Sequence, residues 1–502
     1  MNLKKKLTCL FAGAIALQCF GGAATAKAEV GYKDTLVVAV QEDSKSMDPQ
    51  EVNKINIAVV QRPIFDTLIY NNWETNEYEP AVATSWEQID DLTIVFHLRD
   101  DVYFHNGENL TAEDVLYTYT RATQIPQSAS TFFFLDTENS RVIDDYTLEL
   151  KLTQPYAQIM DVLSGTKSGL VNKKYVEEVG DDVFGQEPIG SGPYKLVSWT
   201  SGTEIVYERF DDYWGEKAQT KNLIFKVIPE AANRVIELET GEADAAYEIN
   251  GSDVERINST DGIHVEMTPS YRYYTVTFSM QDEVTSNQDL RYALSYALDS
   301  ESLVNAVFAG TADVATGFYP SNIFAFKDFG VFPYDLDLAK EYLEKAGYPD
   351  GLTLKFLYSA REVDRQIAEI IQNMWAKIGV TLDMYEMEAD VYQANGNEFQ
   401  VAMRNGNAGE PSNILIIYDS SFKDRLQDND DWLDEQLALA KTLYDDGERS
   451  EKYQEIQDYL YEKRYTIPYA FAAAIYATSD KVEGWELHPN QLVRLQNVRV
   501  LE

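Results

Sequence analysis

Residues 93–115 constrain the fold more tightly than any other stretch, because strand, turn and helix patterns follow one another within it. Apolar and more polar residues alternate from Thr93 to Leu98, which is the period-2 pattern of a half-buried strand. Asn106 and Gly107 both tolerate positive φ and predict a turn. Thr111 is followed by acidic residues that favour the positive end of a helix dipole, so it predicts a helix start.

Two strand–helix–strand patterns predict α/β structure in two separate regions. Residues 223–229 and 245–249 read as strands around a helix at 231–240, which Gly241 ends. Residues 352–358 and 380–384 flank a second helical pattern that ends at Gly379. Strands joined by a crossover helix run parallel. A chain of 502 residues is too long for one core, so we expect two or three domains.

The amino-terminal segment has the composition of a secretory signal. Three lysines precede an apolar run, and Ala26-Lys27-Ala28 fits the small-residue cleavage rule. We predict a signal peptide at residues 1–28 and a mature chain outside the cytoplasm. Both cysteines, Cys9 and Cys19, fall in this segment, so no disulfide is expected in the mature chain. Lipid anchoring through Cys19 is the alternative to release, although Gln18 before it is a poor fit.

Charge and motif content exclude several classes of function. The net charge of −41 disfavours nucleic acid and anionic lipid as partners. The four histidines lie far apart in sequence and form no zinc motif, and neither a cysteine nucleophile nor a nucleophile elbow is present. Asp428 to Asp431 resembles the start of a calcium loop but lacks the required glycine. We therefore predict no catalytic residues, no metal site and no cofactor.

Several ordered motifs together resemble the extracytoplasmic solute-binding proteins of peptide/nickel-type ABC importers. The resemblance extends from about Asp34 to the carboxyl terminus. The motifs are Trp86, Leu98-Arg99, Phe104-His105, Gly107, the Thr-Ala-Glu-Asp-Val run at 111–115, Pro188 to Tyr194, and Gly241 to Asp244.

The resemblance implies an α/β protein with a two-lobed periplasmic-binding-protein-like fold, a hinge, and an extra inserted α+β domain. Lobe I would comprise residues 29–62, 189–273 and 469–502. The inserted domain would be 63–188, and the second lobe, domain III, would be 274–468. The chain would cross between the lobes near Tyr274 and near Pro468.

The resemblance also locates a ligand site in the cleft between the lobes. In peptide-binding relatives, an Asp before an acid–Pro turn holds the peptide's amino group. The turn here contains Glu410, and Asn407 stands at the position of that Asp. An Asn cannot pair an ammonium by charge, so the usual anchoring of a free amine is in doubt. Arg404 stands where relatives often have a Trp, and it either meets an anionic group or is solvated.

Further candidates come from helix starts and aromatic clusters. Arg361 and Arg365 begin the second crossover helix and are candidates to bind a solute carboxylate, against the alternative of exposed arginines. Tyr273 and Tyr274 fall at the predicted hinge, and Tyr319 lies in an aromatic pair. Aromatic walls suit both peptide side chains and sugar faces.

The function that these features predict is capture of an oligopeptide or dipeptide for delivery to the permease subunits of an ABC importer. One alternative keeps this role but changes the solute to an oligosaccharide, an opine-like compound or a metal chelate. Another is an extracytoplasmic hydrolase or chaperone on the same scaffold. We predict a monomer, located in the periplasm or at the outer cell surface, that is not an enzyme.

Overall fold

The computed structural model describes residues 31–51, 55–73, 75, 77–388, 391, 398–422, 426 and 430–502. The predicted signal peptide, Cys19 and the first two residues of the calcium-like stretch, 428 and 429, lie outside these residues. No helix in these ranges is both long enough and apolar enough to cross a bilayer.

Nineteen strands are found in the described ranges. They are β1 (Thr35–Val40), β2 (Ile69–Asn71), β3 (Tyr78–Pro80), β4 (Ala83–Asp90), β5 (Thr93–Leu98), β6 (Arg141–Asp144), β7 (Thr147–Lys151), β8 (Tyr194–Thr200), β9 (Glu204–Arg209), β10 (Asn222–Val227), β11 (Ala245–Tyr247), β12 (Ile263–Phe278), β13 (Ala312–Val314), β14 (Leu352–Ser359), β15 (Val380–Met387), β16 (Val401–Asn407), β17 (Thr466–Ser479), β18 (Val482–Glu483) and β19 (Arg499–Val500).

Helices flank the sheets on both sides. The α-helices are α1 (Ile55–Gln61), α2 (Ala112–Ala122), α3 (Pro126–Ala129), α4 (Ile159–Ser164), α5 (Lys173–Val179), α6 (Asp181–Phe184), α7 (Ala231–Thr240), α8 (Val254–Asn258), α9 (Gln288–Tyr296), α10 (Ser300–Phe308), α11 (Leu336–Lys345), α12 (Glu362–Ala376), α13 (Pro411–Ile414), α14 (Asp431–Thr442) and α15 (Asp446–Lys463). Short 3₁₀ helices span Arg62–Ile64, Thr166–Ser168, Gly251–Asp253, Leu415–Tyr418 and Leu495–Asn497.

The largest sheet has two halves. Strands β11-β1-β10-β9-β8 form the first half-sheet, and β15-β14-β16 form the second half-sheet. β1 pairs in parallel with both β10 and β11, and β14 pairs in parallel with β15. Both predicted crossover units are therefore confirmed as parallel, although β1 lies between the two strands of the first unit. Gly241 ends α7 with a φ of 75°, as its sequence position predicts.

Two long antiparallel strands, β12 and β17, join the half-sheets, and we call them the crossing strands. β12 pairs with β16 on one side and with β17 on the other, and β17 continues to β11. The register shifts between Tyr274 and Thr275, where Thr275 faces Pro468. Pro468 has no N–H and cannot donate a hydrogen bond to the neighbouring strand. Proline is therefore tolerated within a sheet at irregular positions such as this one. The predicted crossing points thus lie opposite each other, and the division into lobes stays a prediction.

A separate four-stranded sheet, β4-β5-β7-β6, is the inserted sheet. Ile94, Phe96 and Leu98 of β5 are buried on one face, as the alternation predicts. Thr111 and Asp114 form a reciprocal capping box, in which the Thr111 N–H donates to Asp114 at 3.0 Å. The core of this sheet extends from Leu68 to Leu170 and is distinct from the cores of the two half-sheets.

A buried guanidinium fixes the inserted sheet to the first half-sheet. Arg121 of α2 donates to Asp48, which is 0% exposed, and to Asp181 at 2.7 Å. The Asp181 side chain is 61% exposed. Because Asp48 follows β1 in sequence and Arg121 lies on α2, between β5 and β6 of the inserted sheet, this network sets how the two regions pack.

Replacing Asp48 should destabilise the protein far more than replacing Asp181. We expect Asp48→Asn to lower the free energy of unfolding by on the order of 3 kcal/mol, because it removes the buried counter-charge of Arg121. Asp181→Asn should cost less than about 1 kcal/mol, since its carboxylate is solvated. Urea unfolding of the two isosteric variants measures the difference. Equal effects would contradict the assignment of Asp48 as the principal partner.

Candidate functional site

Arg272, on crossing strand β12, is a guanidinium with few partners. Its Nη2 donates to Gln491 Oε1 at 3.3 Å, and the carboxylate of Glu248 lies 3.8 Å away. Its Nε is buried and has no hydrogen-bond partner among the described residues. Burial lowers the pKa of Arg272, but nearby Tyr274 and Glu248 outweigh that effect and leave the pKa above its ordinary value. The side chain of Arg272 therefore stays charged, and its Nε remains available to donate a hydrogen bond.

Two further donors without partners lie close to Arg272. Tyr247, at the end of β11, packs its ring against Tyr476 at 4.5 Å and against Trp485 at 5.7 Å. The Tyr247 hydroxyl and Trp485 Nε1 are buried without a described acceptor. Gln491 connects these rings to Arg272, because the Tyr476 hydroxyl donates to the Gln491 carbonyl at 2.7 Å while Arg272 donates to Gln491 Oε1. Buried donors left unpaired cost about 1–3 kcal/mol each, so an anionic group here would satisfy several at once.

Arg361 adds a second positive charge on the same side. It begins α12 and makes two hydrogen bonds to Asp364, at 2.8 and 2.9 Å. The guanidinium groups of Arg272 and Arg361 repel each other, while Tyr274 lies near both. Arg272, Arg361, Tyr247, Trp485 and Glu248 are hereafter the arginine cluster. Glu248 has a φ of 52°, a left-handed conformation that non-glycine residues adopt rarely and mostly at functional sites.

Asn407 is the cross-strand neighbour of Arg272. The register of β12 and β16 pairs Arg272 with Asn407 and Tyr274 with Asn405. Paired residues point to the same face of a sheet, with Cβ atoms about 5 Å apart. Asn407 Nδ2 donates to the Asn490 carbonyl at 3.4 Å, and its Oδ1 is buried without a described donor. A guanidinium beside Asn407 disfavours an ammonium at this position.

Arg404 and Tyr273 lie on the opposite face of the same strands. Arg404 pairs with Thr275, and Tyr273 pairs with Gly406. A Cβ on Gly406 would lie 2.5 Å from the Tyr273 hydroxyl, so only glycine lets this ring cover the strand. The charge of Arg404 reaches Tyr273 and Tyr418. The sequence-predicted residues are therefore split between two faces, with Asn407 and Tyr274 on one and Arg404 and Tyr273 on the other.

The remaining predicted residues have internal partners. Arg365 is 46% exposed and bonds Glu386 of β15, which matches the alternative of an exposed helix-start arginine. Tyr319 is fully buried; its hydroxyl accepts from Gln457 at 2.7 Å and donates to the Ala325 carbonyl at 3.2 Å. The contact of either residue with a solute stays a prediction.

Glu410 lies where the second half-sheet meets the inserted sheet. It precedes α13, and its Oε2 is buried without a described donor. Burial and the charge of Asp161, on α4, raise the pKa of Glu410 well above its ordinary value. Burial likewise raises the pKa of Asp161. The sequence singled out Glu410 through its turn but missed Asp161, which no motif marks.

A cavity of about 400 Å³ lies between the inserted sheet and the first half-sheet. Its polar wall includes Arg62, Asp66, Tyr70, Tyr213, Trp214 and Arg494. Asp66 already accepts hydrogen bonds from Tyr70, Tyr213 and Trp214, at 2.8–2.9 Å. The carboxylate of Asp66 is therefore satisfied internally.

Comparison with known proteins identifies a family. A family model described as "Bacterial extracellular solute-binding proteins, family 5 Middle" matches residues 77–425. The dipeptide-binding protein of Escherichia coli K12 is 24% identical over 478 residues, which cover 87% of this chain and 89% of that protein. Glutathione-binding protein GsiB of Salmonella paratyphi A is 25% identical, covering 91% and 92%.

Solved structures agree with the predicted fold. The periplasmic binding protein DppA of Helicobacter pylori, in complex with the peptide STSA, superposes with a TM-score of 0.83 at 25% identity, covering 94% of this chain and 99% of that one. CtaP of Listeria monocytogenes, an ABC transporter substrate-binding protein, gives a TM-score of 0.84 at 23% identity, covering 94% and 100%. The predicted two-lobed α/β fold is confirmed.

Asn407→Asp should stabilise the protein, because the new carboxylate would face Arg272. We expect a gain of about 0.2–1 kcal/mol in the free energy of unfolding at neutral pH. Arg272 should depress the pKa of this carboxyl, so the gain should be lost as pH falls through the depressed value, below about pH 4. Urea unfolding at several pH values measures it. Asn405→Asp, opposite Tyr274, is the control; an equal gain there would contradict the pairing.

Proposed function

The chain belongs to the bacterial extracellular solute-binding proteins of family 5, and from this membership we propose that it captures a peptide between its lobes. Its role is that of the substrate-binding component of an ABC importer. We propose that the bound peptide passes to the membrane permease subunits, and that the protein works as a monomer. We also propose that it has no catalytic activity of its own, in keeping with a family of solute-binding proteins.

The observation that carries the peptide assignment is the convergence of unpaired donors in the arginine cluster. Arg272 Nε, Trp485 Nε1 and the Tyr247 hydroxyl are buried, and among the described residues none has an acceptor. A carboxylate accepts from several donors at once and pairs a guanidinium by charge. One relative is a dipeptide-binding protein and another was solved with a bound peptide, which likewise supports a solute with a free carboxyl group.

A non-peptide solute is the second candidate. Other relatives are named as heme-binding and glutathione-binding proteins, and one solved relative holds Ni(L-His). Asn407 favours this alternative, because it lacks the charge that anchors a free amine in peptide-binding relatives. Heme, glutathione and histidine all carry carboxylates, which the arginine cluster would also accept.

The family is extracytoplasmic, and we propose that residues 1–28 are the signal peptide that exports this chain. Release after Ala28 remains the preferred processing over lipid anchoring at Cys19. Mass measurement of the mature protein from its native envelope distinguishes the two, because cleavage at Ala28 removes both cysteines.

Arg272→Gln should selectively weaken binding of solutes with a free carboxylate. We expect affinity for a peptide with a free carboxyl terminus to fall about tenfold or more, and affinity for its carboxamide to stay within about threefold. Isothermal titration calorimetry of both peptides measures the ratio.

Arg365→Gln is the matched control, since this arginine is exposed and already paired with Glu386. We expect it to leave the ratio unchanged. If Arg365→Gln abolished the preference for the free carboxylate over the carboxamide and Arg272→Gln retained it, the carboxylate site would lie at Arg365. That result would overturn the assignment to Arg272.

A further inference from the structure

Asp161 and Glu410 meet across a contact between separate parts of the molecule. Asp161 belongs to α4, beside the inserted sheet, whereas Glu410 follows β16 of the second half-sheet. Backbone and side-chain bonds hold the two regions together: the Ala157 N–H donates to the Lys441 carbonyl at 2.9 Å, and the Tyr156 N–H donates to the Tyr444 hydroxyl at 3.2 Å. The two carboxyls therefore lie beside this contact; both residues are partly buried, and Glu410 Oε2 is fully buried.

Positive charge near the pair is insufficient to neutralise it. Arg449 is the cation whose charge lowers the pKa of Glu410, but its Nη2 donates to Asp446 at 2.8 Å. Its guanidinium also lies over the Phe324 ring, 4.5 Å from the centroid. Glu410 and the 76% exposed Asp446 thus share one guanidinium, whose buried Nε has no partner among the described residues.

Tyrosine rings surround the pair. Burial raises the pKa values of Tyr78, Tyr156, Tyr271 and Tyr453; the charges of both carboxyls add to the first three shifts, and the charge of Glu410 adds to the last. These tyrosines come from the inserted region, a crossing strand and α15, so they approach the pair from different sides. Aromatic faces attract cations, more strongly in desolvated sites.

An unpaired amide oxygen next to the pair points to a ligand independently of the acids. Gln158 is only 3% exposed and stands one helical turn before Asp161. Its Nε2 donates to the Tyr453 hydroxyl at 3.0 Å, while its Oε1 has no partner in the described part of the chain. Glu410 Oε2 is likewise unpaired. Both oxygens accept hydrogen bonds, so they require a donor.

We propose that Asp161, Glu410 and Gln158, enclosed by the tyrosines, bind a cationic group of the solute, an ammonium or a guanidinium. This inference rests on the proposed function and specifies the chemistry of its solute. An ammonium supplies three donors and a positive charge, which satisfy the unpaired oxygens and the excess of carboxyls. The anchor that Asn407 lacks is thereby provided three residues further along the chain.

Cation binding at this subsite should release a proton. Burial and the charge of Asp161 raise the pKa of Glu410 to about 8, so the empty pair retains a proton at neutral pH. A bound cation stabilises the ionised carboxylates and lowers their pKa values, which expels that proton. Affinity for the cation should therefore rise as pH increases from about 6 to about 8.

The test uses the mature protein, residues 29–502, with the tripeptide Ala-Lys-Ala and its doubly acetylated form, which lacks both cations. For the unsubstituted protein at neutral pH we expect the free peptide to bind about tenfold or more tightly than the acetylated one. Calorimetry in two buffers of different ionisation enthalpy should show release of about one proton for the free peptide. Singly acetylated peptides identify which cation binds.

Glu410→Gln and Asp161→Asn should each reduce the preference for the free peptide over the acetylated peptide to within about threefold. Each should also abolish proton release on binding. Glu301→Gln, which removes an exposed carboxyl on α10, should keep both. The comparison with Asn407→Ala is decisive: loss of the preference in Asn407→Ala, with retention in both carboxyl variants, would overturn the subsite and leave the proposed function standing.

A failure of all the peptides to bind would count against the peptide solute, and a separate probe then decides the subsite. n-Butylammonium chloride should raise the thermal unfolding temperature of the unsubstituted protein above that in sodium chloride at the same concentration. The rise should be absent in Glu410→Gln. An equal rise in both proteins, or none in the unsubstituted one, would overturn the cation subsite.

Discussion

Pairing between the crossing strands is the interaction on which the arrangement depends. β12 and β17 join the two half-sheets into one hydrogen-bonded sheet, yet the chain on either side packs into separate cores. A two-stranded connection transmits little bending stiffness, while the cores on either side stay rigid. The irregular register between Tyr274 and Thr275, opposite Pro468, places the weakest part of the ladder between the halves. Hinge closure requires this combination of rigid bodies and a compliant link.

The charges beside the crossing strands have opposite signs on the two sides. Arg272 presents an unpaired donor together with Tyr247 and Trp485, and the charge of Arg361 acts on it. Glu410 and Gln158 present unpaired acceptors where the second half-sheet meets the inserted region, and the charge of Asp161 acts on Glu410. Partial burial strengthens both preferences, because screening by solvent is reduced at partly buried groups. The chain is strongly acidic overall, but its net charge of −41 does not predict this local separation.

Local patterns in the sequence predicted local structure well. The capping box at Thr111, the left-handed Gly241 and both parallel crossover units follow from residue spacing alone, because the interactions that form them lie within a few residues. The resemblance identified the family and fold in the same way, through ordered motifs. Arg365 is exposed and paired with Glu386, as a helix-start position favours, while its contact with a solute stays a prediction.

The site itself depends on contacts that no short pattern encodes. Arg272 becomes a neighbour of Asn407 only through the register of β12 and β16, and Asp161 meets Glu410 across about 250 residues of chain. Alternation along β16 could have indicated that Arg404 and Asn407 face opposite ways, since they are three residues apart in one strand. Tyr273 and Tyr274 lie on crossing strand β12, where the sequence predicts the hinge, but the sequence analysis did not single out their neighbour Arg272.

The most direct test of the account measures closure between the halves. Residues 29–502 contain no cysteine, so a pair introduced at Glu178 and Glu451, both exposed, can carry spin labels without background. Pulsed electron resonance then measures the distance between the first-half region and the second-half region. We predict that a tripeptide mixture converts a broad distribution of distances between the two spin labels into a single shorter distance. Arg272→Gln should reduce the fraction of molecules that make this change. A distribution that the peptides and other carboxylate solutes leave unchanged would contradict capture by closure.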